Sequence, residues 1–190
     1  MYEKKRAPER SLSRRERLRE LENFVEPFYA HKDTMHDLSH IRRVLRTTRT
    51  LSKKYHPDNM ILTYAAYFHG IDRRKHKQAL TKFLESQGLE KRQIERTLGV
   101  VRESQKESRP KTVEGRILHD AHLIEGGKTF LAVKSLITGL QRGNSLSKII
   151  DYFERRIVGK FKCYLPDTAK VYSEKEEFAR NFFRDLKKNL

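Results

Sequence analysis

Cysteine, tryptophan and long apolar runs are almost missing from this chain. One cysteine, Cys163, stands among 190 residues. It cannot close an internal disulfide, which predicts a reducing, cytoplasmic compartment. Nowhere do apolar residues run to the roughly 20 that a bilayer crossing requires, so no membrane partner is expected. The first residues are charged throughout and do not read as a secretory signal. Sustained period-two alternation is lacking too, which removes the main signal for a sheet. Acids are outnumbered: 25 Asp and Glu face 42 Lys and Arg, a formal net charge of +17. Such a field attracts polyanions, without saying which.

What remains reads as an all-α chain in a single domain. Apolar residues make up 36% and charged residues 35%, which is polar but enough for one helical core. Residues 1–16 read as a basic arm and 17–190 as the domain. Ser13 is placed to cap a helix reaching about Ala30, with Leu18, Leu21, Phe24 and Val25 inward. A second helix is predicted from His36 to Tyr55, before the His56-Pro57-Asp58-Asn59 break. Met60 to Phe68 is the most apolar stretch and reads as a central helix ending near Gly70. Further helices are predicted over 73–87, 90–104, 113–125, 129–140 and from Ser145 through Phe161. Pro166 opens the last, with Ala169, Tyr172, Phe178, Phe182 and Leu186 as its apolar positions. The total is eight or nine helices.

Three residues stand out against that background. His69 shares a helical face with Leu62, Ala65 and Ala66, so it belongs in the core. Asp120 shares a face with Ile117, Ala121 and Ile124. A carboxylate on such a stripe must be paired or metal-bound. His40 lies one turn after His36 and one turn before Val44, at the edge of its own buried stripe. Each has a structural alternative: a histidine bonded to backbone, an ion pair with an arginine such as Arg43, a half-exposed histidine. Together they favour a shared divalent ion, and mixed nitrogen and oxygen ligands suit Mn²⁺, Fe²⁺, Zn²⁺, Ni²⁺ or Co²⁺.

The segments around these residues resemble the HD-domain superfamily of metal-dependent phosphohydrolases. HDLSHIRRV is similar to that family's HDxxHxxRV opening, and ILHDAHLIEGG to its DADxLDxxG segment. KCYLPDTAKVYSEKEEFARNFF resembles the family's closing helix. The resemblance implies an HD-type helical bundle with His40, His69 and Asp120 as metal ligands. It implies that His36, Asp37 and Arg43 line the pocket. One departure stands in the signature itself, where His-Asp is His69-Gly70. Asp72 and His122 are further ligand candidates. His122 stands where the family has a second aspartate, and Glu125 keeps acidity at the third position.

The function expected from this resemblance is hydrolysis of a nucleotide or another phosphorylated small molecule. Asp37 or Glu125 would orient the attacking water or act as general base, and Arg43 and Lys128 would hold phosphate, with His36 nearby. The alternative, motivated by Gly70, is an impaired HD-type protein that binds nucleotide or nucleic acid through its basic surface. Gly127-Lys128-Thr129 is no phosphate-binding loop, since position 122 is histidine and no strand precedes it.

Overall fold

The helices begin where the sequence supplies a capping oxygen. In the computed structural model, which describes residues 13–190, six N-termini are closed in this way. Ser13 accepts from the Glu16 amide in a reciprocal capping box at the start of α1 (Arg14–Tyr29). Asp37 caps α2 (Leu38–Tyr55), Asp58 caps α3 (Asn59–Phe68) and Asp72 caps α4 (Arg73–Ser86). After α5 (Lys91–Glu103), Thr112 caps α6 (Val113–Ile124). Beyond α7 (Phe130–Gln141), Ser145 caps α8 (Leu146–Arg156), and Pro166 opens α9 (Pro166–Lys188). The described residues form nine helices and no strand. None of these helices is long and apolar enough to cross a membrane.

Two apolar clusters organise the bundle. The larger joins α1 to α6 around α3, whose Ile61, Leu62, Ala65, Ala66 and Phe68 are all buried. α3 is apolar nearly all round, and α1, α2, α5 and α6 pack against it. The smaller cluster joins α7, α8 and α9 through Ala132, Ile150, Phe153, Ala179 and Phe183. α6 touches both, packing on α2, α3 and α5 in the first and on α9 in the second. This leaves the C-terminal half of α6 at the junction, where the site lies.

Some boundaries differ from the sequence reading for local reasons. α2 starts at Leu38 because Asp37 caps it, so His36 sits in the preceding turn. α8 stops at Arg156, and Gly159 turns the chain at φ +67°. Residues 1–12 of the expected basic arm lie outside the described residues, while Arg14 to Glu16 already form the first turn of α1.

The buried stripe of α9 also differs. It runs through Thr168, Tyr172, Lys175, Glu176, Ala179 and Phe183, while Ala169 is exposed and Phe182 is 37% exposed. Two charged residues hold inward positions because each finds a partner. The Lys175 ammonium donates to the Glu125 carbonyl, just past the end of α6. Glu176 accepts from the Gly159 amide at 3.1 Å and from Arg180 at 2.9 Å.

Candidate metal centre

Packing of α2, α3 and α6 brings three imidazoles together. His40 is in the first turn of α2, His69 caps the C-terminus of α3, and His122 lies in the last turn of α6. Their candidate ligand atoms all lie within 4.8 Å of one another. Ring centroids are 6.1 Å apart for His40 and His69, 5.3 Å for His40 and His122, and 4.4 Å for His69 and His122.

Hydrogen bonds around the rings decide which nitrogens are free. His40 Nδ1 is 2.8 Å from a Glu125 carboxylate oxygen. Burial alone would raise the Glu125 pKa, but the His40 bond and the Lys134 ammonium hold it down to about 2. Glu125 is therefore ionised and can only accept, so Nδ1 of His40 carries the proton and Nε2 offers a lone pair. His69 Nδ1 is 2.7 Å from Ser104 Oγ. That hydroxyl donates its own proton to the Val101 carbonyl at 2.8 Å. It must then accept from His69, which again leaves Nε2 bare. Nδ1 of His122 is buried with no hydrogen-bond partner.

Burial lowers the pKa of all three rings, His69 to about 3, with Lys134 adding to the effect at each and neighbouring imidazoles at His69 and His122. At neutral pH they are uncharged, the form that binds metal. Three neutral nitrogens, two of them aimed by outer hydrogen bonds, fit a divalent ion with open positions for water or substrate. This sets a pH dependence. An unfolded histidine takes up a proton near pH 6.5, whereas folded His69 resists until about 3. Between these values the unfolded chain holds the extra proton, so stability is full above about 6.5 and falls toward about 3. Urea midpoints of chelator-treated protein should fall as pH drops through that window, from about 6.5 toward about 3, and a flat profile across it would contradict the neutral buried triad.

The other expected site residues are placed as follows. Asp120 is fully buried but faces away from the triad. Its carboxylate accepts from the Tyr164 and Leu165 amides and the Thr168 hydroxyl at 2.6–3.0 Å, and lies 3.0 Å from His119 Nδ1. The buried acid is explained by a cap on the start of α9, and it is not among the three residues whose candidate donor atoms converge, His40, His69 and His122. Asp37 caps α2, accepting from the Ser39 and His40 amides at 2.8 and 3.3 Å, and is not among the residues lining the cleft described below. Arg43 holds Glu125 at 3.4 Å and Ser39 at 2.8 Å over the Phe130 ring. Glu125 receives His40, Arg43 and Lys134, so it orients the His40 ring and is too acidic to take up a proton at neutral pH. Lys128 is exposed beyond the end of α6 and does not line the cleft. Asp72 lines the cleft but its carboxylate caps α4 at the Arg74 amide.

The triad opens into a cleft of about 930 Å³ between α2, α5, the α3–α4 turn and the segment before α2. Lys32, Arg73, Arg74, Arg102, Lys106 and Arg142 line it, against three carboxylates, Asp33, Asp72 and Glu107. His36 lines it as well, with Nδ1 2.6 Å from Asp33. Burial pushes the Lys106 ammonium down to about 8. Lys32, Lys106, Lys134 and Ser104 escaped the sequence reading. Lysines are common in this chain, and nothing local marks these as inward-facing.

Gly70 has a steric reason here. A Cβ at this position would lie 2.8 Å from the Lys32 ammonium and 3.0 Å from the Tyr29 ring and hydroxyl. Tyr29 is 2% exposed, and its hydroxyl donates to the Tyr67 carbonyl and accepts from the Gly70 amide. Lys32 donates to the Gly70 carbonyl. The space beside residue 70 thus holds a cation. Gly70→Ala is expected to cost roughly 1–3 kcal/mol of stability through this crowding, read from urea unfolding. An unchanged midpoint would show that Tyr29 yields freely.

No protein-family model matches the chain, and no curated protein matches it. Solved structures do. A Lactobacillus plantarum protein superposes with a TM-score of 0.77 at 14% identity, covering 94% of this chain and 98% of that one. Bacillus subtilis YpgQ, solved in complex with ADP, gives 0.70 at 17% identity over 90% and 97%. An HD-superfamily hydrolase from Bacillus thuringiensis gives 0.71 at 15% identity over 93% and 98%. At these identities the likeness is one of fold, and the chain has the HD-like helical fold of those proteins.

Proposed function

We propose that this chain is a divalent-metal-dependent phosphohydrolase acting on a nucleotide or another phosphorylated small molecule, with His40, His69 and His122 as the metal-holding residues. The observation that carries this reading is the convergence of three neutral imidazoles in a cleft lined by six cations. The HD-superfamily neighbour and the ADP bound to YpgQ agree with it. A bound divalent ion would supply Lewis-acid polarisation of a phosphoryl oxygen and lower the pKa of water.

The chain's own residues would supply the rest. Lys32, Arg102 and Arg142 place positive charge where phosphate oxygens would sit. Asp33 accepts from Met35 and His36 and stays ionised, so His36 carries its proton on Nδ1 and presents Nε2 as an acceptor. Water attacking phosphorus would pass its proton to that nitrogen, and the bond to the leaving oxygen would break. His36 thereby takes the base role first assigned to Asp37 or Glu125.

A second reading rests on Gly70. The triad includes no carboxylate, and Lys32 fills the space beside Gly70. A protein that binds nucleotide or nucleic acid without turnover would also use this cleft, with binding that weakens as salt rises. Purified protein assayed on nucleotides and phosphate esters with Mn²⁺, Co²⁺, Ni²⁺ and Zn²⁺ separates the two. Metal-dependent turnover that disappears in His69→Ala supports the hydrolase. No turnover with any metal removes it.

A further inference from the structure

A second chamber opens beside the triad cleft. It has a volume of about 340 Å³ and lies between α7 and α8. His36, Lys106 and Arg142 line both spaces, so they form the wall between them. The chamber adds Lys134 and Lys148, which makes four cations, and no carboxylate lines it. The triad cleft mixes its six cations with three acids; this chamber presents charge of one sign only. Lys134 is already paired with Glu125 at 2.5 Å, so the charge left to an occupant is that of Lys106, Arg142 and Lys148. These like charges around a small concave space repel one another, and an anionic occupant would relieve that repulsion.

Further details fit an anion that enters from the triad. The Lys106 ammonium lies over the Phe161 ring, 5.3 Å from its centroid, and Lys106 makes no ion pair among the described residues. Among the described residues Arg142 reaches one acid, Asp33 at 3.7 Å, and its side chain is 62% exposed. Thr138 Oγ1 is buried with no hydrogen-bond partner, on a residue that lines the chamber. Tyr152, 61% exposed on α8, stands among the lining residues.

We propose that the α7–α8 chamber is a second anion subsite, which binds a further phosphoryl group of a ligand whose first phosphate lies at the triad. Lys106 and Arg142 would contact both groups, and Lys148 the second alone. The ligand class is therefore a molecule with at least two phosphoryl groups, in a chain or at separate positions. This rests on the cleft being the phosphate site, but its test needs no turnover.

Isothermal titration of the full chain with chelator present would use AMP, ADP and adenosine 3′,5′-bisphosphate as probes. At least one doubly phosphorylated probe should bind about tenfold or more tightly than AMP, the scale of one added charge-assisted contact. ADP as the favoured probe indicates a phosphate chain; the bisphosphate indicates separated groups. Lys148→Glu, at an exposed position of α8, should abolish that preference, and Lys148→Ala should reduce it in the same direction. Equal affinity for all three probes, or a preference that Lys148→Glu leaves unmoved, would overturn the subsite. Failure to hydrolyse any of them would bear on the hydrolase reading alone.

Discussion

His122→Ala should remove the metal as completely as His69→Ala. Elemental analysis of the wild type is expected to give about one divalent ion per chain, and either variant a value near zero. The reason is the size of the donor set. Three nitrogens converge, and with one gone the remaining pair is a weak chelate on a surface already rich in positive charge. If the ion contributes several kcal/mol to the barrier, turnover falls on the order of a thousandfold. Glu125→Gln tests the surrounding shell. It keeps the shape but weakens the hold on His40 Nδ1, with roughly a 10–100-fold loss of metal affinity. A His122→Ala protein that purifies with full metal would remove His122 from the ligand set.

Asp120→Ala should instead destabilise the protein while sparing the site. The carboxylate is fully buried and receives two amides and a hydroxyl at the start of α9. Truncation leaves those donors without partners in a space that water enters poorly, at a cost of about 3–5 kcal/mol. For a chain of this size that lowers Tm by roughly 10 °C. Metal content of the fraction that stays folded should equal wild type. Loss of metal without loss of Tm would return Asp120 to the ligand set. The two experiments thus discriminate cleanly between residues two positions apart on one helix.

The separation of Asp120 from His122 shows where a linear reading of this chain stops. Successive helical residues turn by about 100°, so these two side chains point to nearly opposite sides of α6. Both sides are buried, because α2, α3 and α5 cover one flank and α9 another. With Ile117, Leu118, Ala121 and Leu123 all inside, apolar periodicity does not say which face meets the histidines of α2 and α3. The α9 stripe has the same origin. Lys175 and Glu176 read as solvent-facing until the Glu125 carbonyl and the Gly159 amide are brought beside them.

Alone, the order of residues determined the helices, the Ser13 cap, the central place of α3 and the candidacy of His40 and His69. Those features depend on 3.6-residue periodicity and on side chains that bond their own backbone, both of which act within a turn or two of the chain. Only the tertiary structure decided that His122 completes the triad, that Asp120 caps α9, and that Lys32 fills the space beside Gly70. Those outcomes depend on pairs from 38 to 48 positions apart in the case of Lys32 with Gly70 and Asp120 with Thr168. No local propensity encodes such pairs; they are set when whole faces pack and each buried polar atom must find a partner.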